Sequence, residues 1–400
     1  MTAAFPEPVA SRDLWPYGVS FHLGNIALQL SRRTEVAVAT RPHDITDLYL
    51  APVVLAVDAC NEQPASPGSL TAEEIAEYAV TAAVWAPSVH NTQPWRFTAA
   101  GQQISLHADA ARQLRVADPD GREMMISCGA ALFTARLALR SLDFVPQTTV
   151  LPDPGQPLLV ARVSWGRRAA RTELEQRLFG QVRQRRTHRS GFDVAPLPPG
   201  LLAALREGAA RYGAVLRIVA DDGRRAALAA AVQQAEQAQR LDGERVAELA
   251  RWAPAPGSAR ADGVPPESYP ARPEHTDPDF PGRDFAHGHG WGLPPLSTAP
   301  WPRSAGVAAL LTTAHDGPVD WINAGQALQR ILLTASTSGA AAALHTQPLE
   351  FGWLRESIRT GLSDGAYPQL VLRFGMVIQA AASVRRPPDD VLSTGGSEDS

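Results

Sequence analysis

Two stretches of this chain carry the same helical pattern, and that repeat restricts the folds open to it. Ile126-x-x-Gly129-x-Ala131-Leu132 recurs as Ile322-x-x-Gly325-x-Ala327-Leu328. Each copy is followed later by an apolar strand containing an arginine, Arg162 or Arg373. Agreement in motif, order and following strand points to an internal duplication. A duplicated chain can build alone what a symmetric dimer builds from two, so the expected state is a pseudo-dimeric monomer.

Local signals place the elements around this repeat. Thr71 followed by Glu74 forms a capping box, which satisfies free backbone donors at a helix start. Ile75, Tyr78, Ala79 and Ala82 continue at helical spacing, and Pro87 forces an end near Ala86. Strands are expected at Gln103 to His107 and Leu158 to Trp165, with a helix from about Arg122 to Ser141 between them. The second half has a helix around Pro199 to Tyr212, a strand at Ala214 to Val219, a helix from about Asp320 to Ser338 stopped by Gly339, and a strand at Leu370 to Phe374. Residues 1–68 read as a poorly specified extension; the alternative is an extra strand and helix, with the strand at Leu50 to Ala56. The expected domains are a first half at 69–166 and a second at 167–390. The Pro/Gly-dense stretch from about Ala253 to Arg303 reads as a lid, binding loop or linker. The Ser/Gly/Asp-rich tail, 391–400, is expected to be frayed.

Composition mostly removes possibilities. The chain has 400 residues and a net charge of −4, which gives no footprint for nucleic acid or an anionic membrane. No apolar run reaches transmembrane length and no signal-peptide pattern opens the chain, so a cytoplasmic location is expected. Cys60 and Cys128 stand far apart and make neither a disulfide framework nor a CxxC site. The chain lacks GxxxxGK[ST], GxGxxG after a strand, HExxH and GxSxG, the signatures of phosphate loops, dinucleotide folds, zinc hydrolases and α/β-hydrolases.

Several segments can carry chemistry. The first runs from Ala86 to Trp95, Ala-Pro-Ser-Val-His-Asn-Thr-Gln-Pro-Trp, and continues through Arg96 and Phe97. Between its two prolines, Ser88, Asn91 and Gln93 can meet a planar polar ligand; alternatively they bond the loop's own backbone. The second is Arg183-Gln184-Arg185-Arg186-Thr187-His188-Arg189, with Arg385-Arg386-Pro387 near the C-terminus. Guanidinium groups and a hydroxyl suit a phosphate; alternatively they form a solvated basic face. The third is Leu344 to Gly352, a loop after a helix and a glycine stop. His287-Gly288-His289 with Asp284 and His275 is poorly spaced for a metal, and none is expected.

These motifs together resemble the nitroreductase-fold flavoproteins, and within them the Acg branch, whose single chain holds two nitroreductase-like halves. The resemblance rests on 86–95, on Asp118-Pro119-x-Gly121-Arg122-Glu123, and on Cys128-Gly129-Ala130. It rests also on Arg185-Arg186-Thr187-x-Arg189 and on Pro368 to Gly375 followed by Arg385-Arg386-Pro387. It covers about residues 70–390. It implies an α+β fold of two pseudo-symmetric halves, with a mostly antiparallel central sheet flanked by helices and FMN where the halves meet. Arg185, Arg186, Thr187 and Arg189 would hold the FMN phosphate, with Arg385 or Arg386 assisting. Ser88, Asn91, Gln93, Pro94, Trp95, Arg96 and Phe97 would approach the flavin from the other half. Pro348, Leu349 and Glu350 match the segment whose backbone N–H reaches flavin N5. The arginine motif occurs once, so one FMN per chain is expected, and the Pro/Gly-rich segment corresponds to a lid.

The implied activity is hydride transfer from NAD(P)H through FMN to a nitroaromatic, quinone or similar small acceptor, by ping-pong turnover with the chemistry on the cofactor. No protein residue is assigned as catalytic; His90 and His345 are candidate proton donors. The rival function is FMN storage or sequestration with little turnover, under hypoxic or dormant conditions, with the lid closed over the site.

Overall fold

The computed structural model describes residues 70–273, 277, 279–294, 306–377 and 383–394. The expectations for residues 1–68, for His275 and for 395–400 lie outside these residues. The first helix, α1 (Ala72–Ala83), starts at the expected capping box: Thr71 N donates to Glu74 Oε2 at 2.7 Å and Glu74 N to Thr71 Oγ1 at 3.2 Å. It ends a turn before Ala86, at the C-cap Val84. A hairpin follows, β1 (Trp95–Ala100) and β2 (Gln103–Ala108), then α2 (Arg122–Ser141), β3 (Gln147–Val150), β4 (Leu159–Ser164) and α3 (Glu173–Gly180). The second half brings α4 (Leu201–Ala210), β5 (Ala214–Ile218), α5 (Asp222–Leu241), α6 (Gly243–Arg251), β6 (Val307–Thr313) and α7 (Pro318–Ser336). It closes with β7 (Ala340–Leu344), α8 (Gly352–Gly361), β8 (Tyr367–Met376) and β9 (Leu392–Thr394).

This is an α+β arrangement rich in antiparallel pairing. The strands are divided between two sheets among the described residues, where one central sheet was expected. One has the order β3-β4-β2-β1-β9 and the other β5-β6-β8-β7. Only the β1–β9 ladder is parallel. That ladder corrects the reading of the tail. Phe97 aligns with Leu392 and Ala99 with Thr394, so the first residues after Asp390 form an edge strand rather than a frayed end.

The centre of the molecule is the crossing of α2 and α7. Both helices are buried along most of their length, as expected of helices apolar on every side. Polar bonds pin the crossing: Gln329 Nε2 donates to Thr134 Oγ1 at 3.0 Å, and Arg136 Nη1 to Gln326 Oε1 at 2.6 Å. One core lies between α1, α2 and the five-stranded sheet, and another between α4, α7 and the four-stranded sheet. A third packs α5 and α8 on the opposite face of the four-stranded sheet. The helix crossing thereby fixes the first turn of α2 beside the loops that leave β7. No described helix is long and apolar enough to cross a membrane.

Candidate functional site

After α1 the chain turns sharply. Pro87 and Ser88 lead into a single 3-10 turn, Val89–Asn91. His90, Asn91 and Gln93 have φ of 47°, 56° and 50°, in the left-handed region. Such backbone costs roughly 1–3 kcal/mol per non-glycine residue and persists only where surroundings enforce it. The enforcing contacts are specific. Ser88 Oγ accepts Gln93 N at 2.9 Å. Asn91 Nδ2 donates to Gly263 O at 2.9 Å and Val384 O at 3.1 Å, while its Oδ1 accepts from Arg385 Nη1 at 2.9 Å. Gln93 Nε2 donates to Ala261 O at 2.8 Å and its Oε1 accepts Arg386 N at 2.8 Å. The amides of Asn91 and Gln93 therefore join the Pro/Gly-rich segment to the C-terminal segment. They bond protein groups, the alternative left open by the sequence, and Asn91 also lines the recess beside Arg385.

The next residues turn away from the cavity. Pro94 O accepts from Cys128 Sγ at 3.2 Å and from Asp109 N at 3.0 Å. Trp95 and Phe97 alternate inward along β1 and fill the first core, while Arg96 points outward and pairs with Asp109 at 3.1 Å. None of Pro94 to Phe97 lines the cavity, because strand alternation sends each side chain to the core or to solvent.

The cavity holds about 890 Å³ of empty space, counted through its mouth. Pro87, Ser88 and His90 form one wall, and Thr187, His188 and Arg189 another. Ile126, Leu328 and Leu370 supply apolar surface, and His345 and Thr346 enter from the loop after β7. The roof comes from the Pro/Gly-rich segment: Tyr269, Pro270, Arg283 and Phe285. The described part of that segment therefore covers the cavity. Phe285 makes an edge contact with His90 at 5.6 Å, and Arg112 Nη1 ties Asp262 at 2.9 Å.

A narrower recess opens from the same wall and is lined by Ser88, Arg186, Thr187, Arg189, Ser383 and Arg385. Arg185 stands next to it, 4% exposed, with Nη2 donating to Trp85 O at 3.2 Å; Arg385 Nη2 reaches the same oxygen at 3.4 Å. Nε and Nη1 of Arg185 and Nε of Arg385 are buried with no protein partner. Burial first, then the charges of Arg186 and Arg189, pushes Arg185 down to about 9. Burial pushes Arg189 down to about 10. Arg385 is held well below the usual arginine range by burial and then by Arg185, Arg186 and Arg189. Arg186 lies over the Trp85 ring at 4.9 Å. These cations repel one another. An anion with several oxygens would supply the missing acceptors. Arg386 is placed apart: its backbone N serves Gln93 and its Nη2 donates to Asp390 O at 2.7 Å.

Pro348, Leu349 and Glu350 form a 3-10 turn behind Thr346 and do not line the cavity. Leu349 sits in the third core. Glu350 forms a buried ion pair with Arg283 of the lid, and Arg245 stands 3.9 Å away. This segment thus anchors the lid, because its carboxylate is the partner of the roof's guanidinium. His90 and His345 do line the cavity. Burial, and then nearby arginines, holds both imidazoles well below their ordinary range, and Arg373 Nε donates to His345 Nε2 at 3.0 Å. Both rings are therefore neutral near pH 7. No metal-ligating cluster exists among the described residues; His289 stacks on Trp291 at 4.7 Å instead. Sequence reasoning missed Trp85, Glu123, Tyr269, Arg283 and Ser383 as site residues. Only Glu123 stood in a quoted motif; the others are joined by contacts across long sequence separations.

No family model matches the chain. A Mycobacterium tuberculosis protein with the provisional name NAD(P)H nitroreductase is 36% identical over 298 residues, covering 74% of this chain and 83% of that one. An uncharacterized protein of the same organism is 32% identical over 327 residues, covering 78% and 91%. The provisional NAD(P)H nitroreductase Acg, also from that organism, is 28% identical over 330 residues, covering 82% and 97%. A solved nitroreductase with bound FMN from Desulfitobacterium hafniense aligns over 54% of this chain and 97% of its own, at TM-score 0.30 and 15% identity. With 36% identity sustained across 74% of its length, the chain belongs to the nitroreductase-like proteins and, within them, to the Acg branch.

Proposed function

We propose that this protein is an FMN-dependent oxidoreductase that draws electrons from NAD(P)H and reduces a small nitroaromatic, quinone or similar acceptor. The buried arginine cluster carries the reading. Arg185, Arg189 and Arg385 are desolvated and crowd like charges together, Nε and Nη1 of Arg185 and Nε of Arg385 are buried without a protein partner, and the cluster adjoins the cavity. A phosphate monoester offers the charge and acceptor oxygens that such a cluster lacks.

Thr187, Arg189, Arg385, Ser88 and Ser383 are the groups that would hold the phosphate, with Arg186 beside them, bonded to Arg183 O and Arg185 O, and Arg185 adding charge from behind. Ile126, Leu328, Leu370 and Phe285 offer apolar surface to a flat ring system and keep water from it. The cluster is the one buried arginine group of this kind among the described residues, which favours one FMN per chain. Bound there, FMN would supply two-electron chemistry, taking a hydride from the nicotinamide and passing it to the acceptor. Donor and acceptor would use the same cavity in turn, a ping-pong order.

One observation favours the second reading, in which FMN is held with little turnover. Arg283 and Phe285 already occupy the roof, and Glu350, Asn91, Gln93 and Arg112 hold the lid down. The deciding experiment is spectroscopic. Purified protein is expected to be yellow, or to take up FMN, and to bleach on adding NADPH or NADH under nitrogen. A protein that takes up no FMN overturns the proposal. A yellow protein reduced by neither nucleotide leaves storage as the function.

A further inference from the structure

Two-electron reduction of an acceptor in this cavity needs a proton as well as a hydride, and the structure narrows its source. The imidazoles of His90 and His345 are held neutral by burial and by arginines, so neither is a cationic acid near pH 7, while His188 has its Nε2 3.1 Å from Gly191 O and its ring stacked on Phe192 at 4.8 Å. The Tyr269 phenol is pushed up to about 12 by burial, which makes it a weak donor. Arginine does not give up its proton usefully. Glu123 is the one carboxyl among the described residues lining the cavity.

Glu123 sits in the first turn of α2 and is 5% exposed. Arg122 Nη2 donates to its Oε1 at 2.9 Å. Two further acids crowd it. Asp118 accepts the backbone N–H of Glu123 at 3.0 Å and of Met124 at 2.9 Å, and Glu350 approaches from the 3-10 turn. The nearby cations are shared: Arg283 is paired with Glu350, and Arg122 Nη1 donates to Gln369 O at 2.9 Å. Three buried acids thus crowd one another and share the guanidinium groups of Arg122, Arg283 and Arg245, the last 3.9 Å from Glu350.

We infer that Glu123 is the general acid of this site, donating its carboxyl proton to the oxygen of the acceptor as the acceptor is reduced. The inference rests on the oxidoreductase reading above. A quinone gains one hydride and one proton to become a hydroquinone. A nitro group gains the same and yields a nitroso group and water. In either case the O–H bond of Glu123 breaks and a new O–H bond forms on the acceptor oxygen. The carboxylate left behind is reprotonated from solvent before the next turnover. Burial, followed by the charge of Glu350, raises the Glu123 carboxyl to about 8, against the opposing pull of Arg122, and so keeps the acid loaded at neutral pH.

The test separates the half-reactions and adds a readout independent of turnover. In Glu123→Gln, FMN content and reduction by NAD(P)H under nitrogen should match the wild type. Reoxidation by a quinone should slow by about 10²–10⁴-fold, the usual contribution of a general acid. Its loss of rate at alkaline pH should vanish with the carboxyl. Infrared spectra of the wild-type protein at pH 7 should show a protonated carboxyl band that Glu123→Gln lacks and that titrates away near pH 8. A quinone half-reaction of wild-type speed in Glu123→Gln overturns the assignment, as does a wild-type band that titrates with ordinary carboxylates. Failure to bind FMN overturns this inference and the oxidoreductase reading together. Bound, reducible FMN with an unaffected acceptor step overturns the acid alone.

Discussion

Gly129 of α2 and Gly325 of α7 occupy reciprocal places at one helix crossing. A Cβ on Gly129 would run into the backbone carbonyl of Ile322, and a Cβ on Gly325 into that of Ile126. Each repeated motif is thus the footing for the other, and the two backbones touch where a methyl group cannot fit. Replacing either glycine by alanine should destabilise the protein by about 1–3 kcal/mol or more, the usual scale of overpacking. Urea unfolding checks this. The double variant should lose less than the sum, because one displacement of the helices relieves both clashes. Additive losses would show that the two contacts are independent.

The arginine cluster predicts a response to anions. Arg385→Ala should weaken FMN retention by an amount matching one charge-assisted hydrogen bond, about 1.5–3 kcal/mol, measured by equilibrium dialysis. Arg386→Ala should have a smaller effect, because its described contacts lie with Gln93 and Asp390. Inorganic phosphate should raise the Tm of FMN-free protein by relieving the repulsion, and that rise should shrink in Arg185→Ala. Equal losses in the Arg385 and Arg386 variants would overturn the placement of the recess.

The lid should depend on Arg283. Removing one member of a buried ion pair leaves an uncompensated charge, a loss of about 3–5 kcal/mol unless the structure opens. Here opening is the easier outcome, since the guanidinium belongs to a long loop. Arg283→Met is expected to speed proteolysis between residues 253 and 294 and to speed flavin reduction by NAD(P)H. Unchanged cleavage and reduction would mean that the pair does not hold the lid.

Stability should respond to pH through two opposing sets of buried groups. Raised carboxyls at Glu123, Asp118 and Glu236 stay protonated in the folded state after the unfolded chain has lost those protons. Stability due to them therefore declines as pH rises above the ordinary carboxylate range, until the folded pKa is passed. His90 and His345 act in the other direction. Their folded values lie well below the ordinary imidazole value of about 6.5, so stability is lost as pH falls through it and the unfolded chain takes up protons. Thermal melts at constant ionic strength should show both limbs, and Glu123→Gln should reduce the alkaline one.

The elements that sequence reasoning placed are those with local causes. Thr71 and Glu74 lie three residues apart, Gly339 stops α7 with its own left-handed φ of 71°, and the span Arg122 to Ser141 is legible from apolar spacing. Two of the elements it left out lack such marks. β7 is built mostly of alanine, a poor strand former, and becomes a strand because β8 pairs with it from Leu344↔Leu372 to Ala340↔Met376. β9 exists because the edge of β1 is available to residues that would otherwise be a polar tail.

The candidate site divides the same way. Its arginine and Ala86–Trp95 motifs were visible as residue types, and the chain's own order was enough to suggest a phosphate and a family. Which of those side chains face a ligand was decided by packing. Strand alternation took Trp95 and Phe97 into the core, and the lid and C-terminal segment took the amides of Asn91 and Gln93. The helix crossing put Glu123 beside the cavity, while Glu350 was drawn to the lid's Arg283. Sequence by itself determined helix starts, stops and the anion-seeking cluster, because capping, turn chemistry and charge are set within a few residues. Tertiary structure alone decided the roles of individual polar groups, because a buried donor or acceptor takes whichever partner the fold brings within about 3 Å.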